Sequence, residues 1–125
     1  MNKVLIIDDA LFMRKLIRQA LEPFGFEINE AENGLEGINK FNEFNPDVTT
    51  LDIVMPEMDG LEVLKRIRDQ KPNSPVVMIT AVDQRESMLK AMKLGVTDFI
   101  VKPFDEDRVI SAVEKAIQIT KEMTK

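Results

Sequence analysis

The first regular stretch of the chain is Val4-Leu5-Ile6-Ile7-Asp8-Asp9, in which four branched apolar residues directly precede two aspartates. A short apolar run without polar alternation is typical of a β-strand that is buried on both faces. Similar runs recur along the chain, the one at residues 26–31 being the weakest. The sequence therefore predicts five strands, over residues 4–7, 26–31, 48–51, 76–79 and 99–101.

Between the predicted strands, apolar residues recur at the spacing of amphipathic helices. Five segments have this pattern: Phe12, Leu16, Ile17, Ala20 and Leu21; Leu35, Ile38 and Phe41; Leu61, Leu64 and Ile67; Leu89, Met92 and Val96; and Val109, Ile110, Val113, Ala116 and Ile117. Strands that alternate with helices form a parallel sheet through right-handed crossovers, with helices on both faces. We therefore predict an α/β three-layer sandwich of five parallel strands and five helices.

Two threonines do not fit the strand in which they lie. Thr49 and Thr50 bring hydroxyl groups into what should be the most buried strand of the sheet. Buried hydroxyls need hydrogen-bond partners. We therefore expect both side chains to hydrogen-bond locally or to touch a helix.

The length and composition are those of one globular domain. The chain has 125 residues, of which 44% are apolar and 31% charged. This is enough to bury a core without disulfides. The fifth helix is predicted over residues 105–122, and only a short polar tail follows it. We therefore predict a single domain over residues 1–125 without an effector domain.

The residue types that are absent exclude several chemistries. The chain has no Cys and no His, which excludes disulfides, thiolate nucleophiles and imidazole catalysis or metal ligation. A net charge of -5 argues against a nucleic-acid partner. No run approaches the roughly 20 apolar residues of a membrane span, and the N-terminus is not a signal peptide. We expect a cytoplasmic protein without nucleic-acid binding or membrane insertion.

Polar residues stand where the predicted strands end. Asp8 and Asp9 follow the first strand, Asp52 the third, Thr80 the fourth and Lys102 the fifth. The carboxyl ends of parallel strands meet at one edge of the sheet, and ligands bind at this edge. We therefore expect these five side chains to converge.

Taken singly, each of these residues has an ordinary explanation. A lone aspartate often caps a helix, a lone threonine caps a turn, and a lone lysine lies at the surface. Three carboxylates brought together raise one another's pKa values, so such a cluster normally holds a cation. Oxygen ligands without His or Cys favour a hard ion, Mg²⁺ or Mn²⁺. The sequence predicts that Asp8, Asp9 and Asp52 form such a site.

These residues belong to four ordered strings. The strings are Val4-Leu5-Ile6-Ile7-Asp8-Asp9, Leu51-Asp52-Ile53-Val54-Met55-Pro56-Glu57-Met58-Asp59-Gly60, Ile79-Thr80-Ala81 and Val101-Lys102-Pro103-Phe104. In this combination and order, over essentially the whole chain, they resemble the receiver domain of two-component response regulators. The resemblance implies a flavodoxin-like sandwich with the strand order 2-1-3-4-5.

The resemblance gives the central role to Asp52. It implies that Asp52 accepts a phosphoryl group from a histidine kinase, or from a small phosphodonor, and forms an acyl phosphate. Asp9, Asp52 and the main-chain carbonyl of Val54 would ligate Mg²⁺ directly, while Asp8 would act largely through a bound water. The cation would offset the charge of the carboxylate and of the phosphoryl group.

The resemblance also implies how the phosphoryl group is recognised. Lys102 would pair with one phosphoryl oxygen, and the Thr80 hydroxyl and the Ala81 N–H would bind the others. The peptide bond between Lys102 and Pro103 is predicted to be cis. Phe99 would turn inward as Thr80 moves toward the phosphoryl group; the alternative is that Phe99 is an ordinary core residue.

The fourth helix has more apolar residues than one buried stripe requires, so part of it should face solvent. Exposed methionines suit an adaptable binding surface, which makes Met88 and Met92 a candidate output surface. The alternative is a broadly buried helix. From Val54 and Val82, apolar residues beside the site, the resemblance implies a long-lived phosphoryl group.

The predicted function is a phosphorylation-activated signalling switch, which promotes its own phosphorylation and dephosphorylation but is not an enzyme. Its partners would be a histidine kinase and an unidentified downstream protein, and we expect a monomer. Met13-Arg14 and residues 99–104 are most similar to the stand-alone chemotaxis regulators. A phosphorelay intermediate, which passes phosphate to a histidine phosphotransferase, is the alternative output.

Two other functional classes share part of this pattern. A Mg²⁺-dependent aspartyl phosphohydrolase normally has a second aspartate shortly after its nucleophile, where this chain has Val54, and it has a cap that encloses the substrate. A flavodoxin-like cofactor binder needs a loop that cradles phosphate, whereas Asp8 and Asp9 would repel it. Both classes fit the sequence less well than a receiver does.

Overall fold

Strands and helices alternate along the chain, as the sequence predicts. The computed structural model describes residues 2–81 and 83–123. The strands are β1 (Lys3–Ile7), β2 (Glu27–Ala31), β3 (Val48–Asp52), β4 (Val76–Ala81) and β5 (Asp98–Lys102). The helices are α1 (Leu11–Leu21), α2 (Gly34–Phe44), α3 (Gly60–Gln70), α4 (Arg85–Lys93) and α5 (Glu106–Met123), with a 3₁₀ turn at Glu22–Phe24. Within these ranges, no helix is both long enough and apolar enough to cross a bilayer.

The strands form one parallel sheet in the order β2-β1-β3-β4-β5. The predicted fold class, a flavodoxin-like three-layer sandwich, is therefore confirmed. The chain runs outward from β1 to β2 and then returns to β3 on the other side of β1. The carboxyl ends of β1 and β3 form the crevice in which open α/β sheets bind their ligands.

The sheet separates two hydrophobic cores, because successive side chains of a strand point to opposite faces. Val4 and Ile6 of β1 pack on one face with apolar residues of α1 and α5. Leu5 and Ile7 pack on the other face with α2, α3 and the buried side of α4. All five residues of β3 are buried, as its central position requires. The packing of apolar side chains on both faces of the sheet thus fixes the positions of β1 and β3.

Outside α4, two residues predicted to lie in the buried helical stripes are exposed instead. Phe12 is 71% exposed and Leu35 is 59% exposed. Each lies in the first turn of its helix, beyond the end of the preceding strand. Helical side chains lean toward the helix N-terminus, so these two project past the edge of the sheet.

The hydroxyls of Thr49 and Thr50 are buried in β3 and have no hydrogen-bond partner among the described residues. Of the two alternatives expected for them, the local hydrogen bond is therefore wrong, and the contact with a helix stays a prediction. The residues beside Thr50 in the neighbouring strands are Ile6 and Val77, which offer no side-chain acceptor. Nothing in the structure explains why hydroxyls stand at these two positions.

The loop between β3 and α3 holds Glu57 in the left-handed region, with a φ of 67°. This conformation is strained for a residue with a Cβ atom. Glu57→Gly is therefore expected to raise the free energy of unfolding by about 0.5 to 1 kcal/mol, whereas Glu57→Ala keeps the Cβ and should not. Urea denaturation followed by circular dichroism measures both. A glycine variant no more stable than the alanine variant would contradict this account.

Candidate functional site

Three carboxylates meet at the carboxyl edge of the sheet. Asp8 directly follows β1, Asp9 is the next residue, and Asp52 is the last residue of β3. One carboxylate oxygen of each lies within 4.8 Å of the other two. Asp8 and Asp52 are buried, whereas Asp9 is exposed. The acidic cluster, as we call these three residues, therefore opens to solvent on the side of Asp9.

Lys102 brings a positive charge to the acidic cluster. Its Nζ lies 3.4 Å from Asp52 Oδ1 and 3.8 Å from Asp8 Oδ2. Lys102 ends β5, and β4 separates β5 from β3, so the lysine side chain reaches across the end of β4. The peptide bond between Lys102 and Pro103 is cis, as expected.

Thr80 lies on β4, between the ends of the two charged strands. Asp52 is paired in register with Ile79, so Thr80 stands one residue further toward the carboxyl edge. Thr80 is fully buried, and its Oγ1 donates a hydrogen bond to the carbonyl oxygen of Ala81 at 3.2 Å. The strand ends thus bring Thr80 and Lys102 to the same edge as the acidic cluster.

The contacts of Asp8 leave one of its oxygens available to a ligand. Its N–H donates to the Ala31 carbonyl at 3.1 Å, and its Oδ1 accepts from the Ala10 N–H at 2.9 Å. Its Oδ2 is buried, and no described residue donates a hydrogen bond to it. A buried carboxylate oxygen without a donor is unfavourable, and a hard cation with oxygen ligands removes that cost. The cluster therefore fits Mg²⁺ or Mn²⁺.

The ionised forms of the two buried carboxylates are disfavoured. Burial raises the pKa of Asp52 to about 6; the Asp8 charge adds to the rise, and Lys102 opposes it. Burial also raises the pKa of Asp8, while the hydrogen bond from Ala10 and the charge of Lys102 act in the opposite direction. A divalent cation beside these groups would favour their ionised forms. The electrostatics of the cluster thus agree with its geometry.

The loop after β3 contains the predicted main-chain ligand. Val54 lies two residues after Asp52, and its side chain is 57% exposed. Its carbonyl as a metal ligand stays a prediction, as does the Ala81 N–H as a phosphoryl donor. Val82, which was expected to flank the site together with Val54, lies outside the described residues.

The beginning of α3 presses against the backbone of Asp52. Asp59 caps the helix by accepting a hydrogen bond from the Glu62 N–H at 3.0 Å, and the Gly60 N–H donates to the Ile53 carbonyl at 2.7 Å. A Cβ atom on Gly60 would lie 2.1 Å from the Asp52 carbonyl oxygen. Gly60 is not among the residues predicted from the sequence. A glycine directly after a capping aspartate is the signal that could have identified it.

Helix α4 presents apolar side chains to solvent, but the pair differs from the predicted one. Met92 is 60% exposed, as expected, and Leu89 is 52% exposed. Met88 is half-buried instead and packs, like Phe99, against the core on the α2–α3 side of the sheet. Along α4, all of which is described, only Ala91 is buried. The alternative of a broadly buried helix is therefore wrong, and the exposed position expected for Met88 is corrected to Leu89.

Four exposed apolar side chains stand at the same edge of the sheet, and of these the sequence predicts Val54 alone as a residue of the site. Leu11 and Phe12 are exposed in the first turn of α1, Leu35 in the first turn of α2, and Val54 in the loop after β3. We call these four residues the apolar rim. Leu11, Phe12 and Leu35 are not among the predicted site residues, and the sequence signal that could have identified them is an apolar residue in a helix turn that begins beyond a strand end.

Sequence and fold both have close counterparts among known proteins. The family model described as response regulator receiver domain matches residues 4–114. Chemotaxis protein CheY of Listeria monocytogenes is 51% identical over 117 residues, which are 93% of this chain and 98% of that protein. Chemotaxis protein CheY of Bacillus subtilis is 44% identical, with the same coverage of 93% and 98%. A solved receiver domain protein from Clostridium thermocellum has a TM-score of 0.93 at 29% identity, covering 98% of this chain and 99% of that one.

Proposed function

The chain belongs to the response regulator receiver domain family, and on this premise we propose that it is a phosphorylation-activated signalling switch. Asp52 accepts a phosphoryl group from a histidine kinase in a Mg²⁺-dependent reaction, and the changed surface signals by protein contact. The observation that carries the proposal is the buried Asp52 carboxylate, with Asp8, Asp9 and Lys102 gathered around it.

Asp52 is the nucleophile of the proposed transfer. One carboxylate oxygen forms a bond to phosphorus as the bond from phosphorus to the donor histidine nitrogen breaks; the imidazole leaves with the electron pair and is protonated by solvent. With a pKa of about 6, Asp52 is mostly ionised at neutral pH, as a nucleophile must be. Asp9, Asp52 and the Val54 carbonyl would hold Mg²⁺, which when bound would offset the charge of the carboxylate and of the phosphoryl group.

Lys102 follows the negative charge during the transfer. Its Nζ lies 3.4 Å from Asp52 Oδ1 in the structure. Once that carboxylate is an acyl phosphate, the charge lies on the phosphoryl oxygens, and Lys102 pairs with one of them. The Thr80 hydroxyl, which is bound to the Ala81 carbonyl, turns to a second oxygen, and the Ala81 N–H donates to a third.

The signal leaves through the surface formed by β5 and α4. Phe99 is half-buried on β5, against the same core as Met88. As Thr80 turns toward the phosphoryl group, Phe99 moves inward into the space that Thr80 vacates. This movement changes the exposed surface that includes Leu89 and Met92, which contacts the downstream protein.

A protein phosphodonor is supported by the apolar rim. Leu11, Phe12, Leu35 and Val54 are each more than half exposed around the mouth of the acidic cluster, where an approaching protein would bury them. A small phosphodonor would gain nothing from this arrangement. We therefore favour a histidine kinase as the physiological donor.

The output proposed for this chain is of the chemotaxis type, since relatives at 51% and 44% identity over nearly its whole length are chemotaxis proteins. A phosphorelay intermediate is the second candidate. The phosphoacceptor is a cytoplasmic monomer with one domain over residues 1–125. It does not bind nucleic acid, in keeping with its net charge of -5.

Intact-mass spectrometry with acetyl phosphate tests the proposed function. The wild-type protein is expected to gain one phosphoryl group in Mg²⁺ and none in EDTA, and Asp52→Asn is expected to gain none in either. An adduct on Asp52→Asn, or none on the wild type with Mg²⁺ bound, would contradict the proposal. Continuous release of phosphate from p-nitrophenyl phosphate would instead support the distant alternative, an aspartyl phosphohydrolase.

A further inference from the structure

We propose that Arg14 is a positioning residue for the magnesium site, acting through the main chain of Asp8 and anchored by Glu30. Arg14 lies in the second turn of α1, and Glu30 lies on β2, the strand next to β1. The inference rests on the proposed function, because it concerns the same acidic cluster. Arg14 would thus belong to the magnesium site although its own positive charge repels the metal.

The guanidinium of Arg14 joins Glu30 to Asp8. Its Nε donates to Glu30 Oε1 at 3.0 Å, and its Nη1 donates to the main-chain carbonyl of Asp8 at 2.8 Å. Only 11% of the Arg14 side chain is exposed, so water competes little for these bonds. The planar guanidinium also fixes the angle between its two acceptors, which a lysine ammonium cannot do.

Glu30 is itself firmly held, so it can serve as an anchor. The Nε of Arg18 donates to its second oxygen, Oε2, at 2.6 Å. Burial alone would raise the pKa of Glu30, but the hydrogen bonds and charges of Arg18 and Arg14 outweigh burial and lower it. Glu30 is therefore ionised at neutral pH and holds Arg14 in one orientation.

Arg14 completes the set of contacts that fixes Asp8. The Asp8 N–H is bound to Ala31, its Oδ1 to the Ala10 N–H, and its carbonyl to Arg14. The group left over is Oδ2, which is buried without a hydrogen-bond donor among the described residues. The direction in which Oδ2 points is thus set by the contacts of the other three groups, together with the ion pair of Oδ2 with Lys102 Nζ at 3.8 Å.

The charge of Arg14 and its positioning role predict opposite changes in Mg²⁺ affinity when the residue is replaced, so the role can be tested. A positive charge near the cluster weakens Mg²⁺ binding, so its removal by Arg14→Met should strengthen binding if charge alone matters. If Arg14 positions Asp8, the same variant should bind Mg²⁺ more weakly. Arg14→Lys keeps the charge and loses the fixed pair of donors, so it isolates the geometric effect.

The test is a Mg²⁺ titration of ¹⁵N-labelled protein, followed through the amide signals of Asp8 to Ala10. The dissociation constant of Arg14→Lys is expected to rise about tenfold, as on loss of other groups that orient metal ligands. Arg108→Lys is the matched control, because Arg108 likewise joins a carboxylate, Asp98, to a main-chain carbonyl, that of Phe99, but at the beginning of β5, away from the acidic cluster. Its dissociation constant for Mg²⁺ should stay within about twofold of the wild type, although its free energy of unfolding in EDTA should fall about as much as that of Arg14→Lys.

An unchanged dissociation constant in Arg14→Lys, or tighter binding by Arg14→Met, would overturn the inference. If both Arg14 variants fail to fold, Glu30→Asp keeps both charges while shortening the anchor of Arg14, and it must weaken Mg²⁺ binding as well. A wild-type protein that binds no Mg²⁺ would overturn the proposed function together with this inference. Wild-type binding that no Arg14 or Glu30 variant alters would overturn the inference alone.

Discussion

Asp52→Asn is expected to be more stable than the wild-type protein in EDTA at pH 7.5, by about 2 to 3 kcal/mol. The reason is that the folded protein buries the Asp52 carboxylate beside Asp8, an arrangement that disfavours its charge. An amide at the same position has no charge to bury. The residue proposed to carry the signal therefore lowers the stability of the metal-free protein.

The pH dependence of this effect follows from the pKa of Asp52, which is about 6 in the folded protein against an ordinary value of 3.8. The stabilising contribution of the protonated carboxyl is fully present below pH 3.8 and is lost as the pH rises through about 6. Asparagine is neutral at every pH. The variant therefore becomes more stable than the wild type as the pH rises from 3.8 through about 6, and this difference persists at higher pH. Mg²⁺ should reduce this difference in unfolding free energy, because it binds and stabilises the ionised wild-type protein.

Urea denaturation at several pH values, followed by far-ultraviolet circular dichroism, measures this difference. Asp69→Asn is the matched control, since Asp69 is exposed on α3 and lies outside the acidic cluster; its effect should stay within about 0.5 kcal/mol. A stability difference that is absent at pH 7.5, or that does not change with pH, would contradict the electrostatic account of the cluster.

Gly60→Ala is expected to lower the free energy of unfolding by about 3 kcal/mol or more. The added Cβ would lie 2.1 Å from the Asp52 carbonyl oxygen and 2.8 Å from Ile53 Cα, distances at which the backbone itself must move. The backbone that moves carries Asp52 at the end of β3. Phosphoryl uptake from acetyl phosphate should therefore also slow in whatever fraction remains folded.

Gly34→Ala is the matched control for this substitution. Gly34 and Gly60 are both first residues of a helix, α2 and α3, but a Cβ on Gly34 would meet side-chain atoms of the half-buried Met58 at 2.9 Å. A side chain can rotate away more readily than a backbone can shift. Gly34→Ala should therefore lower the free energy of unfolding by about 1 kcal/mol, clearly less than Gly60→Ala. Equal losses in the two variants would show that the contact with Asp52 is not decisive.

The fold was largely predictable because its three central strands, β1, β3 and β4, are buried on both faces, although the edge strands β2 and β5 are not. The run at residues 48–51 has no polar alternation, and all of β3 is buried. The strand order was not derivable in this way, because several orders bury the same runs; it came from the resemblance. The exposure of Phe12 and Leu35 was not predicted, since helical periodicity does not indicate where the underlying strand ends.

The convergence of the candidate site was predictable from topology, whereas its supporting contacts were not. Parallel strands deliver Asp8, Asp52 and Lys102 to one edge in whatever order they pair. The contact between Arg14 and Glu30 joins residues 16 positions apart on different elements, and no local pattern of the sequence indicates that these two residues meet. Contacts of this kind depend on how a helix is rotated on the sheet, which the sequence does not reveal.

The central claim, that Asp52 carries the phosphoryl group, is tested most directly by locating that group. The protein is incubated with acetyl phosphate and Mg²⁺, reduced with borohydride, which converts an aspartyl phosphate to homoserine, and digested with trypsin. Fragmentation of the tryptic peptides then identifies the modified residue; Asp52 lies in the peptide between Lys40 and Lys65, and Asp8 and Asp9 lie in the one between Lys3 and Arg14. Homoserine at position 52 alone is the predicted result. Modification at Asp8, Asp9 or any other carboxylate, with Asp52 intact, would contradict it.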